Sequence, residues 1–393
     1  MAVVKGAGIS AVFSREIRRF NADPLYFFIM LGLPLLSFAL LIFIFHVGIP
    51  RNIPVAVYDA DNSALSRRLI RLIDATPSME VTRKVSDFQK GRDLLLSGTC
   101  NALIVLPHDL QHDVLKGIGP SVINYYNNLY LLPASMISRD VHLVVSTVSA
   151  GMSMQSSLAR GMTPHQARAS VAPVRMVTRV LFNPDMNYLF FLVSSLLPTM
   201  LQIFILINSV YCFGDELKRG TTRDWLEHAG GSVWKAVAGK VLPSTIVYLA
   251  LGFTMNILLF KYMGAPLRGS AVIIGIALGL FILAYQAIGL LLVIVFANMR
   301  FALSVAAFYS STAFCFVGIT YPVYAMPYLA KMWAGILPLT YYLKIAIDQS
   351  MRGAPAAQSL LSVGALLAFS VFFALPLFRL RTLMLQERYW GRI

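Results

Sequence analysis

Long apolar runs separated by short polar stretches dominate the chain. Six runs hold about 18 or more largely apolar residues without one Asp, Glu, Lys or Arg: Leu25 to Val47, Tyr188 to Tyr211, Val241 to Phe260, Ala271 to Asn298, Phe301 to Tyr321 and Leu360 to Phe378. Each predicts a membrane-spanning helix. The first would be about 34 Å long, enough to cross the hydrocarbon core with some tilt.

Two regions depart from this pattern. Ahead of the first run, Ile9, Val12, Phe13, Ile17 and Phe20 recur at helical spacing while Arg15, Arg18 and Arg19 take another face. That predicts an amphipathic helix lying on the membrane surface, broken at Asn21 to Pro24. Between the first and second runs, residues 48–187 read like a soluble domain. Short apolar runs at Ile53 to Tyr58, Val81 to Val85, Ala102 to Leu106 and Val122 to Tyr126 predict strands, and Ser66 to Ile73, Phe88 to Leu96 and Pro107 to Leu115 predict helices between them. Alternation of this kind argues for a small α/β domain. A segment from Leu131 to about Val180 follows, expected as one or two helices with a break at Thr163-Pro164.

The predicted fold class is therefore membrane α-helical, with six transmembrane helices and an α/β extracytoplasmic domain inserted between the first and second. Its divisions are a surface helix (1–24), the first transmembrane helix (25–47), the inserted domain with a helical stalk (48–187), five further transmembrane helices (188–378) and a tail (379–393). Gly275 and Gly279 form a G-x-x-x-G in the fourth run, which permits close helix approach, within the chain or in a dimer.

Composition supports the membrane assignment: 57% of the 393 residues are hydrophobic and 13% charged, against roughly 25% charged in an ordinary soluble domain. The net charge of +15 sets orientation rather than nucleic-acid binding, because no basic run interleaved with aromatics lies outside the membrane flanks. With the N-terminus inside, 14 Lys and Arg fall on the cytoplasmic side and 5 in the short outer loops, so both termini are expected in the cytoplasm. The first run is long for a signal segment and lacks a cleavage site, so it reads as a retained anchor. Cys100, Cys212 and Cys315 offer no extracytoplasmic pair and no metal spacing.

Catalytic chemistry is hard to find. Gly239-Lys240 is followed by Val241 and lacks the glycine pattern of a nucleotide-binding loop. His108 and His112 share a helix face but have no third ligand. Inside the runs the polar groups are hydroxyls and amides, and Gln202, Asn208, Asn256, Gln286, Tyr309 and Ser310 are candidates to line a path for a weakly polar compound. Hydrogen bonding to backbone or neighbouring helices is the competing role for each. Proton-coupled carriers use intramembrane acids or histidines as relays. Here only His46, at the end of the first run, is available, which disfavours that class.

One charged island stands out: "FGDELKRGTTRDWLEHAGG", Phe213 to Gly231. With both termini inside, it lies in the cytoplasmic connection 212–240. A short helix from Asp215 to Arg219 is expected to stop at Gly220 and a second to run from Thr222 to His228, presenting charges that a soluble protein could push. The alternative is a solvated loop.

Here the chain resembles the membrane subunits of type-2 ATP-binding cassette exporters. Glu216, Gly220-Thr221, Trp225-Leu226 and Gly239-Lys240-Val-Leu-Pro243 follow that family's connection between the second and third spans. Lys218 and Arg223 stand where the family often has acids. "FVGITYPVYAMPYLAKMWAGILPLTYYLK" is similar to its re-entrant outer segment (318–345), with Gly318, Pro322, Pro327 and Pro338 in the expected order and Gly335 allowing close backbone approach. The strand around Ile53 to Asp59 and the Asn101 to Pro107 stretch are similar to the extracytoplasmic domain of one branch.

The resemblance implies a permease without enzymatic activity or a cofactor of its own, in a bacterial inner membrane. It would pair with a second, identical or similar permease subunit and two copies of an ATPase that holds ATP and Mg, and would export a small hydrophobic or amphipathic compound. A periplasmic adaptor and outer-membrane channel are further partners it implies. Asp215, Glu216, Lys218, Arg219, Gly220, Thr221, Asp224 and Glu227 become the expected ATPase-coupling residues. The rival reading is a membrane-anchored scaffold or secretion accessory without an ATPase.

Overall fold

The computed structural model describes residues 8–171, 180–371 and 377–391. It is mostly helical and divides into two compact units, one of Met1–His46 with Tyr188–Ile393 and the other of Val47–Asn187.

In the first unit, five helices among the described residues are long and apolar enough to cross a membrane: Pro24–Phe45, Leu189–Arg219, Val233–Tyr262, Ala271–Phe296 and Met299–Phe316, here spans 1 to 5. A further apolar helix, Ala356–Ser370, has 15 residues, and residues 372–376 of the sixth predicted run lie outside the described residues. Spans 2 and 3 extend well beyond their apolar runs, span 2 forward through Asp215 to Arg219 and span 3 back to Val233. The first half of the charged island is thus not a separate helix but the last turn of span 2, closed by Gly220 in a left-handed conformation at φ 69°. That geometry suits glycine because it has no Cβ to clash. The second half, Thr222–His228, is the expected short helix.

Span 2 is the centre of this unit and packs along spans 4 and 5. The close approach is at Gly289 of span 4, where a Cβ would sit 2.5 Å from that of Ser209. Gly275 and Gly279, by contrast, meet Phe253 and Leu249 at ordinary contact distances of 3.6 and 3.9 Å. A second tight site joins span 3 to the N-terminal helix Ile9–Ala22: a Cβ on Gly239 would lie 2.8 Å from the Ile9 carbonyl oxygen. That helix is therefore packed into the bundle, with Val12 fully buried, and does more than rest on a membrane surface.

After span 5 the chain breaks at Gly318, φ 91°, and Pro322. It then forms the helices Tyr328–Gly335, with Pro327 as its N-cap, and Pro338–Ile347, with Pro338 in its first turn. Helix ends leave carbonyls without partners, and away from water these need donors. Side-chain hydroxyls supply them: Thr340 Oγ1 donates to the Ala334 carbonyl at 2.7 Å, Tyr341 Oη to Gly335 at 3.0 Å and Tyr309 Oη to Ile336 at 2.6 Å. Among the described residues no close backbone approach occurs at Gly335, where the nearest atom outside its own helix turn is the Tyr341 hydroxyl, 4.0 Å from the Cβ position. These hydroxyls crowd the break instead.

The second unit carries a four-stranded sheet in the order β2-β1-β3-β4, formed by Ile53–Asp59 (β1), Met79–Val85 (β2), Ala102–Leu106 (β3) and Ile123–Tyr126 (β4). β1 pairs in parallel with β2 and β3, and β4 returns antiparallel to β3. Central β1 and β3 read as near-continuous apolar runs because both faces are covered. One face packs on Leu69, Ile70 and Ile73 of the helix Ala64–Asp74 and on Ile137, Val141 and Val144 of the long helix Leu131–Ala159. Ser63 caps the former by accepting from the Ser66 N–H at 3.1 Å. The break at Thr163 separates that long helix from Pro164–Val171. The unit begins and ends in one place: the Cβ position of Gly48 lies 2.6 Å from the Asn187 side chain.

Candidate functional site

The polar end of span 2 forms a buried ionic node with the N-terminal helix and span 3. Glu216 is 1% exposed and Lys240, almost two turns into span 3, is fully buried. Arg15 grips Glu216 with two parallel hydrogen bonds, of 2.8 and 2.9 Å, the planar match that makes Arg–carboxylate pairs strong. Lys240 Nζ donates to Glu16 Oε2 at 2.7 Å and to Glu216 Oε1 at 2.8 Å. Arg19 reaches Asp215, Glu216 at 3.3 Å and the Cys212 carbonyl at 3.4 Å. Thr221 Oγ1 donates to Glu216 Oε2. The second Glu16 oxygen accepts from Tyr26 Oη at 3.1 Å and Cys212 Sγ at 3.3 Å.

An outer layer continues the network. Arg219 pairs with Asp215 at 2.7 Å and approaches Asp23 at 3.8 Å, while Asp23 caps span 1 and accepts from Tyr211 Oη at 3.2 Å. Arg15, Arg19, Arg219 and Lys240 thus face Glu16, Asp23, Asp215 and Glu216, a balance of charge that burial requires. Burial alone would raise the Glu16 carboxyl, but Lys240 and Arg19 outweigh it and hold Glu16 below the usual carboxylate range. Asp23 is likewise lowered: its slight burial is outweighed by the N–H groups of Tyr26 and Leu25, the Tyr211 hydroxyl and Arg219. Trp225 completes the wall, its ring 5.2 Å from Lys240 Nζ and its Nε1 donating to the Ala236 carbonyl at 3.0 Å.

The expected coupling residues therefore divide. Asp215 and Glu216 turn inward, Thr221 bonds to Glu216 and Gly220 closes span 2, whereas Lys218, Arg219, Asp224 and Glu227 are exposed. Sequence reasoning missed Glu16, which sits between apolar and basic positions, and assigned no contact to Lys240. The available signal was a lone acid on one amphipathic helix and a lone lysine at the edge of an apolar run.

The path candidates divide as well. Gln202 Nε2 donates to the Ser310 carbonyl at 3.1 Å, joining spans 2 and 5, whereas the neighbouring Tyr309 donates to the Ile336 carbonyl at the helix break. Gln286 donates to Ser244 at 3.0 Å and accepts from Thr245 at 2.8 Å, joining spans 3 and 4. Asn256 lines a narrow crevice with Tyr342 and Ser350. Asn208 is fully buried. Among the described residues no three His, Cys, Asp or Glu side chains converge as a metal site would need.

The balanced ion-pair network links three elements, the N-terminal helix, the end of span 2 and the start of span 3. A family model described as ABC-2 family transporter protein matches residues 24–378, most of the chain. No curated protein matches it. With that match over helices long enough to cross a membrane, the chain belongs to the ABC-2 transporter family and is the membrane component of an ABC transporter.

Proposed function

We propose that this chain is the permease of an ATP-driven exporter in a bacterial inner membrane, with both termini cytoplasmic. It pairs with a second permease subunit, identical or similar, and with two copies of a separate ATPase that binds ATP and Mg. The cargo is a small hydrophobic or amphipathic compound leaving the cytoplasm or inner leaflet. The observation that carries the reading is the node. A push on the exposed face of Thr222–His228 passes through Thr221 and Glu216 to the N-terminal helix and to Lys240 of span 3, shifting the population between two packings of the spans.

The test co-expresses the chain with its ATPase and measures hydrolysis and transport for native protein and for Arg223→Glu with Glu227→Arg. Both side chains are exposed, so insertion and thermal midpoint are expected to stay unchanged while transport falls several-fold. Unchanged transport refutes the coupling assignment. If no ATPase co-purifies, the scaffold reading replaces the exporter.

A further inference from the structure

The segment Leu377–Gly391 plays no part in the node, yet it is tied to the charged island at three points. Its helix Leu377–Leu385 buries Leu380, Leu383 and Met384 against Thr222–His228 and spans 3 and 4. A 3-10 turn, Glu387–Tyr389, then doubles the chain back, and Trp390 Nε1 donates to the Leu383 carbonyl at 3.1 Å. From there the Gly391 N–H donates to the Leu217 carbonyl in the last turn of span 2 at 3.0 Å. Thr222 Oγ1 donates to the Met384 carbonyl at 3.1 Å. The Trp390 ring lies 3.6 Å from the Cβ position of Gly220, roofing the left-handed residue that joins the two halves of the island.

We infer that Leu377–Gly391 is a strap that holds the island and presents, together with it, a single docking surface for the soluble ATPase. The inference rests on the exporter reading for its partner but not for the strap itself. The exposed charged residues of the island, Lys218, Arg219, Arg223, Asp224 and Glu227, and those of the strap, Arg379, Arg381, Glu387 and Arg388, are of mixed sign. Three carboxylates interspersed among six cations suit a protein face with charges of both signs better than an anionic lipid surface, which would repel the carboxylates. Because the strap contacts both sides of Gly220, a partner seated on the surface displaces the end of span 2 and the helix Thr222–His228 as one piece.

The strap is tested first on the purified chain alone. Trp390→Ala, and a chain stopped after Leu385, are expected to speed deuterium exchange of the amides of residues 217–228 by about tenfold. Exchange at the native rate in both overturns the strap. Retention of the ATPase by native chain and by Arg381→Glu with Arg388→Glu, both exposed, then tests the surface. Loss of retention with native exchange rates supports it, and full retention overturns it. Weakened binding to vesicles of anionic lipid with full ATPase retention assigns the surface to the membrane instead. If native chain retains no ATPase, the docking surface falls together with the exporter reading, while the exchange rates still decide the strap.

Discussion

Lys240 has no exposed surface, and two carboxylates share its ammonium group. An unpartnered buried charge is far costlier than a missing pair, so Lys240→Met, which takes from Glu16 its closest cation while Glu216 keeps Arg15 and Arg19, is expected to destabilise the folded bundle by about 3–5 kcal/mol. Glu16→Gln added to it is expected to recover part of that loss, giving a non-additive cycle in thermal midpoints measured in lipid nanodiscs. The node also predicts a direction with pH. Glu16 is held below its ordinary value of 4.5, so its stabilising contribution is complete above that pH and disappears as pH falls through the lower folded value. Midpoints should therefore drop on acidification below about pH 4.5, and less steeply in Glu16→Gln. An equal acid slope in the variant removes Glu16 from the network.

At the scale of elements, glycines separate close packing from mere spacing. Gly239→Ala has to push against the Ile9 carbonyl and Val12, so it is expected to loosen the N-terminal helix and cost about 1–3 kcal/mol. Gly275→Ala, with room around it, is expected to stay within about 0.5 kcal/mol of native. Comparing their thermal midpoints checks both. The sequence motif pointed to the other site: G-x-x-x-G spacing is visible along a chain, but tightness depends on what the partner helix brings, and Gly239 meets a backbone more than two hundred residues away. The strands were readable because β1 and β3 are short apolar runs between polar turns. The ends of spans 2 and 3 were not, because charged side chains are a sound reason to stop a membrane helix unless distant charges neutralise them. Glu16 and Lys240 became legible only as a pair, and nothing local pairs positions that far apart.

For the whole molecule, the inserted unit has its own sheet and its own apolar core, with Val55, Ile104 and Ile73 at or near zero exposure. Residues 47–187 expressed alone are expected to unfold cooperatively and to show the circular dichroism of a mixed α/β domain. A gradual melt would mean that the core needs the rest of the chain. The contact between Gly48 and Asn187 gives this unit a peculiar freedom. A loop whose ends already coincide adds a closure entropy that grows only slowly with its length, so the two helices it interrupts experience a short linker whatever is threaded between them. The unit can therefore be lengthened or shortened at little entropic cost to the two helices it joins.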